Sequence, residues 1–240
     1  MPYAQLHYPF ENKDVFEKGF PAEFIAEGVD QTSLWFHKLH VVANLLFGKP
    51  AFKNVIVNGI VLAEDGKKMS KRLRNYPDPM EVMEKYGSDS VRYYLMSSPV
   101  VQAENLRFSE KDVAEVSRRF VNILMNVVSF YVLYKEEKHG DRLSTHVLDR
   151  WVIARLHETL KEQTQTMESY DLQGAARVLQ AFVTDLSTWY VRRSRERFKQ
   201  EGQNREAVLM TLRLVLETFA KMCAPFTPFL AEMLYKDVAG

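Results

Sequence analysis

Seven of the nine prolines in this 240-residue chain lie within its first 99 positions, and only Pro225 and Pro228 come later. Proline fixes φ, removes a backbone donor and breaks helices. The front of the chain is therefore mixed and heavily punctuated, while the rest is free to be helical. Composition bounds the class: 46% hydrophobic and 26% charged residues belong to an ordinary folded protein and exclude disorder and fibrous repeats. Lys and Arg number 32 against 31 Asp and Glu, a formal net charge of +1, which excludes a chain that is basic all over but not one with a local basic face. The single cysteine, Cys223, excludes a disulfide framework and a multi-cysteine zinc site, fits a reducing compartment, and leads to an expected cytoplasmic location. No uninterrupted apolar run approaches the roughly 18 residues a membrane span needs. The N-terminal stretch also lacks a basic segment followed by an apolar one, so neither a membrane partner nor a secretory signal is expected.

The front half reads as strand, helix, strand. Phe24-Ile25-Ala26 is a short apolar run closed by Glu27-Gly28. Residues 32–47 follow as a helix with Trp35, Leu39, Val42, Leu45 and Leu46 at three- and four-residue steps, stopped by Gly48-Lys49-Pro50. Residues 54–61, NVIVNGIV, form the strongest strand pattern in the chain. This order favours a parallel α/β unit, whose ligands bind outside the carboxyl ends of the strands. Short helices are expected over 79–86 and 89–97, separated by Gly87-Ser88. Beyond them the pattern predicts helices at 109–135, 146–168, 172–200, 204–223 and 227–236, an all-α bundle with breaks at Gly140 and Gly202. Ser109 and Ser144 are candidate N-caps. The apolar stripes 121–133 and 209–219 read as bundle core, and Asp171, Asp185 and Trp189 as structural residues setting helix ends and packing. The histidines at 37, 40, 139, 146 and 157 show no metal-ligand spacing.

Chemistry concentrates in the loop Lys67-Lys68-Met69-Ser70-Lys71-Arg72, which follows the Glu64-Asp65-Gly66 turn and precedes Asn75-Tyr76-Pro77. Lysine is a point charge on a flexible stem, suited to catching a moving phosphate. Phosphoryl chemistry is catalysed largely by neutralising charge that develops on oxygen. A solvated basic turn is the alternative reading. A second basic feature is Arg192, Arg193, Arg195, Arg197 and Lys199, after Thr188-Trp189-Tyr190; residues 191–199 carry four net positive charges. On a helix, positions 192, 195 and 199 share one stripe, and 193 and 197 a neighbouring one. Such stripes suit a phosphate backbone, though a solvated helix face with Glu partners fits as well.

The segment VNGIVLAEDGKKMSKRLRNYPDP resembles the KMSKS region of class I aminoacyl-tRNA synthetases, with Lys68-Met69-Ser70-Lys71-Arg72 as the signature. FIAEGVDQTSLWF, residues 24–36, resembles the isoleucyl-tRNA synthetase pattern. The likeness continues through LDRWVIARL, TWYVRRSRERF and APFTPFLAEMLY, nearly the whole chain. It implies a partial Rossmann-like α/β nucleotide-binding half-domain with the loop and connecting helices over 1–108, followed by an all-α anticodon-binding bundle over 109–240. It further implies that Glu27 holds the ammonium of a bound aminoacyl-adenylate, that Gly28 allows close backbone approach, that Asp30 binds the ribose hydroxyls and that Gln31 fixes the adenylate. Trp35 would wall the amino-acid pocket, and Asn58, Gly59 and Val61 would border the adenine. Lys68 and Lys71 would neutralise ATP phosphates, with Met69 and Ser70 beside them. Arg192, Arg193, Arg195 and Arg197 would contact tRNA, with some of this arginine group held in interhelical ion pairs instead. The implied partners are ATP with Mg2+, isoleucine and tRNA(Ile), with no zinc site in this chain and a monomeric enzyme. Bland readings stand beside several of these: Trp35 as core, Asp30 as a helix cap, Asn58 as a bulge and Gly59 as a packing glycine.

The chain also departs from the family pattern. The His-x-Gly-His signature does not occur in it, and His37-Lys38-Leu39-His40 has the wrong internal residues. The editing insertion and the first half of the nucleotide-binding fold are not among these residues. Ser33-Leu34 stands where Arg-Gly is usual, and Arg72 where Ser is usual. By itself the chain is therefore expected not to activate isoleucine, and its strands to expose an edge and a face. A valyl-tRNA synthetase fragment and a non-catalytic synthetase-derived tRNA-binding module are the alternatives.

Overall fold

β-branched Val55, Ile56 and Val57 pair with Ile25 to Glu27, so the first organising feature is a two-stranded parallel ladder. In the computed structural model, which describes residues 2–135 and 144–239, β1 (Ala22–Gly28) and β2 (Phe52–Asn58) run in register from Ala22↔Phe52 to Gly28↔Asn58. Before them lie α1 (Pro2–Gln5) and α2 (Lys13–Gly19). A 3-10 turn (Val29–Ser33) and α3 (Trp35–Phe47) form the crossover. The expected α/β unit is thus present, with two shifts. The helix starts at Trp35 instead of residue 32, and its buried residues are Phe36, Leu39 and Ala43: of the expected stripe of Trp35, Leu39, Val42, Leu45 and Leu46 only Leu39 is buried. Ala43 presents only a methyl group, so α3 lies close to Ile25 and Ala51, while Trp35, Leu45 and Leu46 point outward. The second strand stops at Asn58 because Gly59 turns away: its N–H donates to the Val100 carbonyl at 2.7 Å. β3 (Val61–Leu62) instead pairs with β4 (Leu106–Arg107). Phe24 and Val55 are exposed, as expected for uncovered strands.

The structure divides into one unit of Met1–Leu62 with Pro99–Leu106 and another of Ala63–Ser98 with Arg107–Gly240, in place of a single boundary at 108. The basic loop, α4 (Pro79–Tyr86) and α5 (Ser88–Met96) therefore group with the helices that follow. The reason is polar as well as apolar. Asp89 on α5 accepts from the Leu230 N–H at 2.6 Å, Arg92 donates to the carbonyls of Phe226 and Pro225, and the Tyr93 hydroxyl donates to the Ala176 carbonyl. Burial drives the Asp89 carboxyl above its ordinary pKa despite these donors.

In this second unit α6 (Glu110–Val116), a π turn (Ser117–Val121) and α7 (Asn122–Tyr134) make one helix. By length and hydropathy the 25 residues Glu110–Tyr134 are apolar enough to cross a membrane. Val113, Phe120, Leu124, Val127, Val128 and Tyr131 are buried within the unit, while Val132 and Leu133 are exposed. The expected break at Gly140, and His139, lie outside the described residues. α8 (Val147–Glu168) is capped by His146, not Ser144: the ring Nδ1 accepts from the Leu148 N–H at 3.2 Å, and Ser144 Oγ accepts from the His146 N–H. α9 (Leu172–Asp185) is capped by Asp171, which accepts from Gly174 at 2.8 Å. A second π turn (Leu186–Val191) leads into α10 (Arg192–Lys199), so the helix expected over 172–200 is continuous but widened once. Buried residues recur there every four positions, at 182, 186, 190, 194 and 198. An α-helix of 3.6 residues per turn would let such a stripe drift by about 40° per step, and the extra residue of a π turn takes up part of that drift. α11 (Gln203–Cys223) and α12 (Pro228–Ala239) complete the unit, and the Cys223 thiol is fully buried.

Beneath α10 the Arg197 guanidinium meets Asp149, 0% exposed, through Nη1 at 2.8 Å and Nη2 at 2.6 Å. The Tyr190 hydroxyl donates to the same carboxylate at 2.7 Å, and Arg197 also reaches Asn204 and His146 Nδ1. Burial alone would raise the Asp149 pKa, but the hydrogen bonds from Arg197, Ser144 and Tyr190 outweigh it and hold the carboxyl below its ordinary range. Removing one partner of such a pair leaves a buried charge and costs about 3–5 kcal/mol. Asp149→Ala should lower stability by that order in urea unfolding followed by circular dichroism. The pair's contribution is fully present above the ordinary carboxylate pKa of about 4 and is lost as pH falls through the lower folded value, so the wild-type excess over Asp149→Ala should shrink only in acid.

Candidate functional site

Parallel pairing puts the ends of both strands on one edge, and this register brings Glu27, Gly28 and Asn58 together. Three of the residues there organise one another. Asp30 Oδ2 accepts from Gln31 Nε2 at 3.2 Å, and Gln31 Oε1 accepts from the Trp35 N–H at 3.4 Å. The helix-capping role considered for Asp30 thus falls to Gln31, and the Asp30 carboxylate faces solvent. Glu27 Oε1 accepts from the Gly28 N–H at 3.1 Å and is otherwise exposed. A Cβ on Gly28 would meet Asp30 Oδ1 at 2.8 Å, so the glycine leaves room for that carboxylate. Trp35, at 41% exposed, is not core, since Phe36 takes the buried position next to it.

Asn58 is exposed, and Val61 lies half-buried in β3. Gly59 has a steric reason of its own: a Cβ there would lie 1.9 Å from the Glu104 carbonyl oxygen. The neighbouring Ile60 N–H is taken up by Asn105 Oδ1 at 3.1 Å. This edge therefore offers two carboxylates, an exposed amide, bare backbone and an indole face, a set suited to an ammonium, a diol and a flat ring.

The basic loop belongs to the second unit and is held by short polar side chains. Gly66 turns with φ 80° and Lys67 is pinned by Asp65, which accepts from its N–H at 3.0 Å and sits 3.4 Å from its Nζ. The Lys67 backbone donor is the main reason the Asp65 carboxyl lies below its ordinary pKa. Asn75 clasps the following turn: Oδ1 accepts from the Ser70 N–H at 2.9 Å and Nδ2 donates to the Lys68 carbonyl at 3.2 Å. Lys68, Lys71 and Arg72 are exposed and, among the described residues, have no carboxylate partner. Met69 and Ser70 are half-buried. Sequence reasoning noted Asn75 only as context; its position five residues after Ser70, before Tyr76-Pro77, was the available signal.

On α10 the arginines divide. Arg192, Arg193 and Arg195 are exposed, with no carboxylate partner among the described residues. Arg197 is a correction: at 7% exposed and bound to Asp149 it is a brace inside the unit and not part of the cationic surface. Lys199 pairs with Glu196 at 3.0 Å. Trp189, expected to pack structurally, is instead 44% exposed. Among the described residues no group of three His, Cys, Asp or Glu side chains gathers to hold a metal.

Residues 1–107 match the family model of tRNA synthetases class I (I, L, M and V), and residues 149–240 match that of the anticodon-binding domain of tRNA ligase. The chain is 48% identical over its whole length to isoleucine–tRNA ligase of Chlamydia trachomatis serovar L2, and 47% identical over 99% of its length to that of Chlamydia abortus. It spans about a quarter of the length of these curated relatives, 24% in each case. Among solved structures it resembles Mycobacterium tuberculosis methionyl-tRNA synthetase in complex with methionyl-adenylate, with TM-score 0.79 and 19% identity over 96% of this chain and 47% of that one. It also resembles the Agrobacterium radiobacter K84 LeuRS–tRNA–LeuAMS complex, with TM-score 0.70 and 18% identity over 100% of this chain and 31% of that one. At these identities the structural likeness concerns the fold.

The two glycines of the edge should respond differently to alanine. Gly59→Ala requires backbone to move and should destabilise the first unit by about 1–3 kcal/mol, in the range of overpacking. Gly28→Ala meets only a rotatable carboxylate and should leave the melting temperature nearly unchanged. Thermal unfolding of both variants checks the contrast, and equal losses would contradict it.

Proposed function

This chain belongs to the class I tRNA synthetases, and from that premise we propose that it supplies part of the adenylate site, the phosphate-binding loop and the tRNA-binding bundle of an isoleucine–tRNA ligase. The observation that carries the reading is the KMSKR turn, in which Lys68 and Lys71 are exposed with no carboxylate partner among the described residues, while Asn75 and Asp65 hold the backbone around them. In the reaction a carboxylate oxygen of isoleucine attacks the α-phosphorus of ATP, the bond to the bridging oxygen breaks, and pyrophosphate leaves. Negative charge gathers on the departing oxygens, and two mobile ammonium groups neutralise it there. Mg2+, implied as the counter-ion of ATP, would add to the charge neutralisation that Lys68 and Lys71 provide.

At the strand edge Asp30, kept in place by Gln31, suits the ribose diol, and Glu27 suits the ammonium of the amino acid. Trp35 offers a flat wall for an aliphatic side chain, and Asn58, Gly59 and Val61 offer a border for adenine. Met69 and Ser70, half-buried between the lysines, complete the loop. The second step moves isoleucine to the terminal ribose of tRNA(Ile), whose backbone suits Arg192, Arg193 and Arg195. Identity to isoleucine–tRNA ligases favours isoleucine over valine.

ATP–pyrophosphate exchange tests the reading. The 240-residue chain, which lacks a His-x-Gly-His sequence, should show no exchange by itself. Placed within a polypeptide of the relatives' full length, it should support exchange with isoleucine well above that with valine. There Lys71→Ala should lower kcat by roughly 10²- to 10³-fold with a smaller change in KM for isoleucine. Undiminished exchange by that variant, or a preference for valine, would count against it.

A further inference from the structure

Trp189 is the one tryptophan of the helical unit left with a large open surface, and its surroundings are unlike those of an ordinary exposed side chain. The Arg193 guanidinium stacks on its ring, 3.9 Å from the centroid, and the Trp151 ring stands 6.4 Å away at 57°. The π turn Leu186–Val191 turns Leu186, Tyr190 and Val191 into the core and Trp189 out of it. Tyr190 and Arg197 are both bound to Asp149, so the backbone that carries Trp189 and Arg193 is fastened from beneath.

On the adjoining face a cleft of about 370 Å3 opens between α7 and α10, lined by Asn126, Phe130, Thr188, Val191, Arg192 and Arg195. Arg195 lies over the Phe130 ring at 6.0 Å. Three guanidiniums with no carboxylate partner among the described residues, an exposed indole stacked on one of them and a largely apolar cleft thus share one short segment. Indole over guanidinium is a stacking surface, since a nucleobase presents a π-face of the same kind whatever its identity. A double helix buries those faces in its own stack, so only an unpaired base can use such a platform.

We propose that Trp189, backed by Arg193, is a stacking platform for an unpaired nucleobase in a single-stranded loop of RNA, with Arg192 and Arg195 holding the flanking phosphates. The inference rests on the tRNA-binding reading above and adds to it a recognition mode and a residue that carries no charge.

The test uses the 240-residue chain and two RNAs with equal numbers of phosphates, a hairpin with an unpaired loop and a fully paired duplex. Trp189→Leu should weaken hairpin binding by roughly 5- to 100-fold, the range for losing one base–aromatic stack, and duplex binding by less than about twofold. Trp189→Phe should restore most of the loss. The dependence of affinity on salt should stay the same, because no charge is removed. In a Trp35→Phe, Trp151→Phe background, where Trp189 is the last of the three tryptophans, its emission should be quenched by the hairpin and not by the duplex. Equal weakening for both RNAs, no weakening, or no quenching would overturn the platform while leaving tRNA binding in place. Failure of the unmodified chain to bind either RNA at low salt would overturn the tRNA-binding reading and the platform with it. Thermal melting of each variant confirms that its fold is kept, as a partly exposed position allows.

Discussion

A carboxylate with no exposed surface, Asp149, receives three hydrogen bonds from Arg197 and Tyr190, and much of the helical unit is arranged around that contact. It ties the first turn of α8 to the π turn and the α10 that continues it, about forty residues further along the chain. Two buried charges are tolerable only when each is paired, so losing either partner strands the other without water. With α10 seated this way, Arg197 points inward and Arg192, Arg193 and Arg195 point outward from the same helix. A stretch that looks uniformly basic in the sequence is thus divided into an internal brace and an external surface.

The strand edge works by a comparable economy of parts. Gln31 spends its amide on Asp30 and its carbonyl on the backbone of Trp35, so one side chain orients a carboxylate and starts a helix. Gly28 keeps the space that the carboxylate occupies, and Gly59 allows the 99–106 segment to pass against the end of β2. None of these residues needs unusual chemistry. Their effect comes from parallel pairing, which delivers the ends of both strands to one place.

Much of this was readable from residue pattern. A short apolar run at 24–26, a β-branched run at 54–61 and proline placement pointed to both strands of the ladder and nearly every long helix, because those signals are local. What escaped was set by contacts between distant residues. The buried face of α3 is Phe36, Leu39 and Ala43, which cluster with Ile25 and Ala51, so Phe36 and not Trp35 takes the core position at the helix start. The cap of α8 is an imidazole, a role that helix-start statistics seldom assign. Arg197 carries the same local signature as Arg193, and only a carboxylate 48 positions away tells them apart. The π turns are equally silent in a propensity scan, although the four-residue spacing from 182 to 198 is the trace of the second. At the candidate site the lysines and the carboxylates were visible by type, while Asn75 and the bridging part played by Gln31 emerged only from geometry.

The clasp formed by Asn75 has a consequence for how the lysine loop responds to a ligand. One amide side chain closes the turn with two hydrogen bonds, each worth about 0.5–1.5 kcal/mol net in water. Releasing both therefore costs about 1–3 kcal/mol, so the released turn is a minor population of about one molecule in ten to one in a hundred. A triphosphate that binds the released turn even a few hundredfold more tightly would make it the dominant form. The turn can then reshape around its substrate while Asp78, which caps α4 just beyond it, keeps the helices that follow in place.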